Sequence, residues 1–240
     1  MKKVIILSLF ICLNTVAVFA SYDQALALYQ EKKYQESLSM VANDLVVADD
    51  YKENSPNYKL RFLAAHNHWK MGNDQAAVAH FRKCMSIRKT AVEPYIDCSI
   101  LLLEKQRFGD AGSIAEDGLK IKDDPMLYWV LGRVAMARKD FWRAKELFEK
   151  ANSIDPELYV SYNDLGIVLI HLNKAGDANT AFSVALAIYP DSAEANYNMA
   201  YSSMLIGRKN DAVAYSKRAL ELAPNNETVK KLIQKIESSK

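Results

Sequence analysis

The chain has 240 residues, of which 50% are hydrophobic and 25% are charged, and its formal net charge at pH 7 is +2. With only 8 glycines and 6 prolines, its composition is that of a compact, helix-rich protein. The small net charge argues against nucleic-acid binding and against a polybasic lipid-binding surface, since both need an excess of Lys and Arg.

The amino terminus has the composition of a secretory signal peptide. Lys2 and Lys3 precede an apolar run from Val4 to Leu13, and the small-x-small sequence Val18-Phe19-Ala20 provides a processing site. We therefore predict a signal peptide over residues 1–20 and an exported protein that is periplasmic or secreted. Because the apolar run is shorter than the about 20 residues of a membrane-spanning helix, an uncleaved signal anchor is the less favoured alternative.

After cleavage behind Ala20, the sequence predicts neither a lipid anchor nor a membrane-spanning segment. Ile11 precedes Cys12, where a lipidated cysteine normally follows a small residue, so we expect no lipid anchor. The cleaved segment would remove two lysines and no acidic residue, so the remaining chain would be formally neutral. It has no further apolar run of 18 residues, and we expect no stable membrane insertion after cleavage.

Residues 21–57 predict a degenerate helix pair followed by a linker. Two helical stretches, Tyr22 to Gln30 and Tyr34 to Val46, are joined at Glu31-Lys32-Lys33. The polar segment from Asp49 to Asn57 is a linker or a frayed helix end.

The next residues predict two further helix pairs, 58–91 and 92–124, with small or apolar residues at helical spacing. These residues are Ala64, Ala65, His68, Ala77, Phe81 and Cys84 in the first pair, and Tyr95, Cys98, Ser99, Leu102, Ala111, Ala115 and Gly118 in the second.

A single pattern recurs three times between Pro125 and Pro224, with a step of 34 residues. A fixed period of this size indicates stacked helix-turn-helix units. The aligned positions are Leu131-Gly132, Leu165-Gly166 and Met199-Ala200; Ala144, Ala178 and Ala212; and Pro156, Pro190 and Pro224.

Two glycines of this pattern need a physical reason. Gly132 and Gly166 lie inside segments with helical periodicity, where a glycine is about 1 kcal/mol less favourable than an alanine. We interpret them as points where two helix backbones approach closely, with Phe148 and Phe182 filling the space beside them.

The segment from Tyr128 to Pro156 resembles the tetratricopeptide repeat, and the following unit resembles it more closely. The matching residues of that unit are Tyr162, Leu165, Gly166, Leu169, Ala178, Phe182, Ala185 and Pro190. The resemblance implies an all-α, right-handed solenoid of five repeats over residues 58–224, at approximately 58–91, 92–124, 125–158, 159–192 and 193–226. The degenerate pair at 21–57 would precede these repeats, and a capping helix at 227–240 would follow them.

The last helix is predicted from Glu227 to Ser239. Its apolar residues fall on one face, as a helix that covers the end of a solenoid requires, although a helix that docks on a partner would have the same pattern. These residues are Val229, Leu232, Ile233 and Ile236.

The sequence predicts no catalytic, cofactor or metal site. It has no nucleophile elbow, phosphate-binding glycine loop or zinc-binding helix motif. His66 and His68 are two residues apart and point to different sides of a helix, so together with His80 they are not expected to converge on a metal.

Cys84 and Cys98 allow two alternatives in an oxidising compartment, a disulfide or two buried thiols.

In arrays that this chain resembles, a second stripe on each first helix, at positions i, i+4 and i+7, faces the concave groove. This stripe, a candidate partner-binding surface, consists of Phe62, His66 and Trp69; Ile96, Ile100 and Leu103; Trp129, Arg133 and Met136; Asn163, Ile167 and Ile170; and Tyr197, Tyr201 and Met204. Large apolar patches mark interaction surfaces, and tryptophan, tyrosine and arginine are typical binding anchors. Adjacent first helices could instead bury the stripe, or the amino-terminal pair could fill the groove.

The resemblance implies a non-enzymatic scaffold that binds a protein or peptide partner. In the best-known groove of the family that this chain resembles, Lys and Asn side chains clamp the carboxyl terminus of the partner. Only Asn163 of the stripe fits that pattern, so a free carboxyl terminus is not the expected ligand. We expect instead an apolar peptide or an amphipathic helix of a protein in a bacterial-type cell envelope. The alternative is a carrier that holds a small hydrophobic ligand in the same groove and acts with an envelope transporter. The sequence leaves the identity of the partner and the oligomeric state open.

Overall fold

The computed structural model describes residues 21–47 and 57–238. The predicted signal peptide, including Cys12, and most of the predicted linker lie outside these residues. The described residues contain thirteen helices and no strand, which confirms the all-α fold class. None of these helices combines the length and the apolar composition that a bilayer-spanning helix requires.

The helices follow one another in antiparallel pairs joined by short turns. They are α1 (residues 21–30), α2 (Tyr34–Val47), α3 (Asn57–Lys70), α4 (Asp74–Ile87), α5 (Glu93–Glu104), α6 (Phe108–Leu119), α7 (Pro125–Ala137), α8 (Phe141–Ile154), α9 (Tyr159–His171), α10 (Ala175–Ile188), α11 (Ala193–Leu205), α12 (Lys209–Leu222) and α13 (Glu227–Ser238).

The helices form two compact units. The first contains the described residues up to Arg107 together with Asp117–Lys122, and the second contains Phe108–Glu116 and the residues from Asp123 onwards. In the first unit α3 packs against α2 and α4, and α4 packs against α5. In the second unit each helix from α7 to α13 packs against the next, and the first helices α7, α9 and α11 also contact one another in that order.

Local sequence signals explain where α7 begins and ends. Pro125 occupies its first turn, where a missing N–H is harmless, and the side chain of Asp124 accepts a hydrogen bond from the Met126 amide. After its end, Lys139 has a φ of 61°, and Asn173 and Gly207 have the same left-handed conformation one and two steps of 34 residues later. This conformation reverses the chain between the two helices of each pair.

Two phenylalanine rings account for the glycines of the repeated pattern. A Cβ atom at Gly132 would lie less than 3.0 Å from three ring atoms of Phe148, and one at Gly166 would lie as close to Phe182. Both rings are fully buried. Each glycine therefore makes room for a ring from the second helix of its own pair. Close approach of the two backbones, which we expected from the sequence, is not the direct cause.

The last helix covers the end of the second unit. Val229, Leu232 and Ile236 are buried, and Leu232 and Ile236 share a hydrophobic cluster with Ala200 and Ala212 of the last helix pair. The other face of α13 is charged and exposed. The helix therefore has the predicted position of a cap.

The structure contains no disulfide between the two described cysteines. Cys84 and Cys98 are both buried, and Sγ of Cys84 lies 3.6 Å from the carbonyl oxygen of Tyr58, to which it donates a hydrogen bond. Burial raises the pKa of the Cys84 thiol to about 12. We therefore predict the pair of buried thiols rather than the disulfide.

Candidate functional site

The predicted stripe lies on the first helices of both units and remains partly accessible. Leu103 and Asn163 are buried and Arg133 is exposed, whereas the other stripe residues are half-buried. Neighbouring helices therefore cover the stripe only in part, which leaves apolar and aromatic surface for a partner.

In the second unit the stripe has an apolar row and a more polar edge. The third stripe positions of α7, α9 and α11 are Met136, Ile170 and Met204, and all three pack partly against hydrophobic clusters. The first positions, nearer the helix starts, are Trp129, Asn163 and Tyr197. Because the three helices are in contact, equivalent positions lie side by side across the unit.

A buried carboxylate holds two of the stripe residues in place. The indole Nε1 of Trp129 donates a hydrogen bond of 2.8 Å to Oδ2 of Asp164, and a guanidinium nitrogen of Arg133 lies 3.3 Å from the same oxygen. Asp164 is 3% exposed. Burial raises the pKa of Asp164 to about 6, although Arg133 and the Trp129 hydrogen bond act in the opposite direction.

The guanidinium of Arg133 is also placed over the ring of Trp129, 5.6 Å from its centroid. Its side chain keeps 44% of its surface exposed. Trp129, Arg133 and Asp164 thus form one connected group in which an aromatic ring and a cation are presented at the surface and their orientation is set from below.

Asn163 connects the next pair of first helices. Its Oδ1 accepts a hydrogen bond of 3.0 Å from the side-chain amide of Asn198, and its Nδ2 donates one of 3.3 Å to Oε1 of Glu194. Glu194 is exposed. The buried Asn163 amide therefore makes one hydrogen bond through each of its polar atoms, and both fix its orientation between α9 and α11.

Equivalent contacts occur in the first unit. Nε2 of His66 lies 3.0 Å from Oδ2 of Asp97, and the indole of Trp69 donates a hydrogen bond of 3.0 Å to Glu104. As in the second unit, each contact joins a residue to another 31 or 35 positions away. These separations are the 34-residue period minus three or plus one, and they bring side chains of adjacent first helices together.

The stripe has polar partners that were not predicted from the sequence, which are Asp97, Glu104, Asp164, Glu194 and Asn198. The period contained the signal, because a residue 31 or 35 positions after a stripe residue falls beside it on the next first helix.

Tyrosines of α1 also lie beside the stripe, at positions that were not predicted from the sequence. The rings of Tyr29 and His66 have their centroids 6.2 Å apart, and Lys59 lies over the ring of Tyr22 at 5.6 Å. The amino-terminal pair therefore extends the stripe with tyrosines beside α3. It was not recognised because the long linker changes the offset between equivalent residues from 34 to 40.

The three histidines of the first unit separate into two environments. His66 contacts Asp97 in the stripe, whereas the rings of His68 and His80 stack with centroids 5.4 Å apart. Burial lowers the pKa of both, and that of His80 reaches about 4 because the nearby His68 and Arg61 add to the effect. Across residues 21–47 and 57–238, no three His, Cys, Asp or Glu side chains are grouped so as to hold a metal ion.

A cavity of about 250 Å³ in the second unit lies between α6, α7 and α8. Gly112 and Leu131 line it, together with charged residues that include Arg138. No stripe residue borders this cavity. The cavity and the stripe are therefore separate features of the second unit.

Residues 58–90, 127–158 and 193–226 match the family model of the tetratricopeptide repeat. Three segments of the chain thus match the tetratricopeptide repeat, and the structure between and around them has the same antiparallel helix pairs.

Among curated proteins, the peroxisomal targeting signal receptor of Saccharomyces cerevisiae is 32% identical over 108 residues, which are 45% of this chain and 18% of the receptor. The chain thus spans less than a fifth of that relative's length.

Two solved structures show the same fold at 15% identity. The structure of PilF from Pseudomonas aeruginosa matches with a TM-score of 0.77 over 95% of this chain and 99% of that chain. A chain of the anaphase-promoting complex assembly of Cut9 and Hcn1 also matches with a TM-score of 0.77, over 91% of this chain and 42% of that chain.

Proposed function

We propose that this protein is a non-enzymatic scaffold of a bacterial-type cell envelope and that it binds an apolar segment of a partner protein along the stripe. The observation that carries this proposal is the arrangement of half-buried Trp129 on α7 and half-buried Tyr197 and Tyr201 on α11, the two first helices that flank α9, with Trp129 fixed by the buried Asp164 of α9. Aromatic anchors of this type dominate the binding energy of protein interfaces.

Pre-organisation favours this surface as a binding site. A side chain that is already fixed loses little conformational freedom when a partner binds, so more of the contact energy appears as affinity. Trp129 and Asn163 are held in this way by side chains of the next first helix. The matches to tetratricopeptide repeats and to a receptor for a targeting signal support a peptide or protein as the ligand.

The location in the cell envelope is proposed from residues 1–20 of the sequence. Sequencing the amino terminus of the protein isolated from its native cells tests this part of the proposal. We expect Ser21 to be the first residue, and a protein that retains Met1 in the cytoplasmic fraction would contradict it.

The role as a carrier of a small hydrophobic ligand has less support. Sites for small molecules are concave and cover most of the ligand surface. The cavity between α6, α7 and α8 has a partly charged lining without stripe residues, and the stripe itself presents an open row of side chains.

Crosslinking in intact cells followed by capture of the protein tests the binding surface. We expect the Trp129→Ala, Tyr201→Ala double variant to lose most of the captured partner while circular dichroism shows unchanged helix content. The matched control is the Trp142→Ala, Tyr189→Ala double variant, which removes two exposed aromatic side chains outside the stripe. Undiminished capture by the folded stripe variant would mean that the stripe is not the site.

A further inference from the structure

A carboxylate beside the stripe of the second unit has no cationic partner among the described residues. Glu194 is exposed and accepts a hydrogen bond from the neutral amide of Asn163. Within the described part of the chain no basic side chain forms an ion pair with it. Arg133 is the only Arg or Lys among the stripe residues of this unit, and it is paired with Asp164.

The charge of Glu194 acts on the buried Asp164. It contributes to the raised pKa of Asp164, which places the two carboxyl groups in the same electrostatic environment. Because Arg133 and Asp164 balance each other when both are charged, Glu194 leaves the polar edge of the stripe with a net negative charge. This edge favours a partner that brings a cation.

Aromatic residues of the stripe already hold cations of this chain. Arg133 lies over Trp129, and Lys70 lies over Trp69, each 5.6 Å from the ring centroid. Tyr197 follows Glu194 by three residues on α11, so the two side chains share one face of the helix. A carboxylate next to an aromatic ring suits the ammonium of a lysine or the guanidinium of an arginine.

General helix-packing geometry favours a helical conformation of the partner. Packed helices have axes about 8–10 Å apart, and residues seven apart in a helix are separated by about 10.5 Å on one face. A helix lying across α7, α9 and α11 can therefore place successive apolar residues on Met136, Ile170 and Met204. Residues on one face of an extended strand are separated by about 6.6 or 13 Å, which fits this spacing less well.

We propose that the partner segment is a cationic amphipathic helix. Its apolar face lies on Met136, Ile170 and Met204, and a Lys or Arg beside that face pairs with Glu194. This inference rests on the proposed function, because it specifies the chemistry of the partner that the stripe binds.

Two synthetic helical peptides test the inference with the full chain. They share the same leucine face and differ only in whether Lys or Glu flanks it, and their affinities are measured by fluorescence anisotropy at low salt. The Lys peptide is expected to bind about tenfold more tightly than the Glu peptide, since one well-placed charge pair supplies discrimination of this order. Glu194→Lys should reverse this preference. The control Glu157→Lys, which changes the net charge equally outside the stripe, should preserve it.

The outcomes separate this inference from the proposed function. If both peptides bind equally and the Trp129→Ala, Tyr201→Ala variant loses both, the requirement for a cation is wrong and the stripe is still a binding site. If neither peptide binds, or if the double variant binds both as well as the wild type does, the proposal for the partner helix and the proposed function both fail.

Discussion

Trp129 and Asp164 lie on successive first helices and are joined by a hydrogen bond of 2.8 Å from the indole Nε1 to Oδ2. The carboxylate is buried and shares the same oxygen with Arg133 at 3.3 Å. Burying a charged carboxylate lowers the stability of the folded protein unless its partners compensate for the lost hydration. We infer that Asp164 is retained because it fixes the orientation of two surface side chains.

Asp164→Asn is predicted to weaken partner binding without lowering the free energy of unfolding at pH 7. In the folded protein the pKa of Asp164 is raised to about 6, so between its ordinary value and 6 the folded state binds more protons than the unfolded state. The contribution of Asp164 to stability is therefore full at pH values below the ordinary pKa and is lost as the pH rises through 6, by up to about 3 kcal/mol.

The variant should lack this loss, so its free energy of unfolding at pH 7 should equal or exceed that of the wild type. Partner capture should fall, because Arg133 loses its charged anchor. Urea unfolding between pH 4 and pH 8 and a capture assay measure the two effects. Asp177→Asn, which changes an exposed carboxylate of α10 outside the stripe and its polar partners, is the control. A variant that is less stable at pH 7 with unchanged capture would contradict this account.

His80 should give the opposite pH dependence. Burial lowers its pKa to about 4, so the folded state keeps the imidazole neutral while the unfolded chain takes up a proton. Its contribution to stability is present above the ordinary pKa of histidine and is lost as the pH falls from there towards 4.

His80→Gln should therefore reduce the acid sensitivity of the free energy of unfolding, measured by urea unfolding between pH 4 and pH 7. His171→Gln is a suitable control, because His171 is exposed at the end of α9. An unchanged pH profile of His80→Gln would show that this residue does not titrate as described.

Gly166→Ala should destabilise the second unit by about 1–3 kcal/mol. Its Cβ would lie within 3.0 Å of three atoms of the buried Phe182 ring, and overpacking of this size outweighs the gain in helix propensity of about 1 kcal/mol. The control is Gly176→Ala in α10, where no atom beyond the adjoining residues and the local helix backbone lies within 4 Å of the added carbon. Thermal unfolding of both variants tests the packing, and a Gly166→Ala protein as stable as the control would contradict it.

Both described cysteines should react as thiols only after unfolding. Cys84 and Cys98 are buried, and burial raises the pKa of Cys84 to about 12, so the reactive thiolate is scarce in the native protein. Labelling with a maleimide and mass spectrometry should find two modified cysteines in denatured, unreduced protein from which residues 1–20 are removed. Unlabelled cysteines that react only after reduction would show a disulfide.

The sequence alone predicted the all-α fold and the pairing of its helices, because these depend on the recurring helix-turn-helix pattern, whereas the stripe as a binding surface stays a prediction. Gly132 and Phe148 were both recognised, but the contact of the ring with the glycine required coordinates. Asp164 was missed because its role depends on a neighbour 35 residues away rather than on its own helix. Tyr29 was missed because the preceding pair is out of phase with the later repeats.

The most direct test of the account is site-specific photocrosslinking in intact cells. A photoreactive phenylalanine analogue replaces Ile170 in the stripe in one strain and Trp142, which is 60% exposed outside the stripe, in another. We predict that the Ile170 position yields a discrete crosslinked protein partner and that the Trp142 position does not. A partner crosslinked from Trp142 and absent from Ile170 would contradict the claim that the stripe is the binding surface.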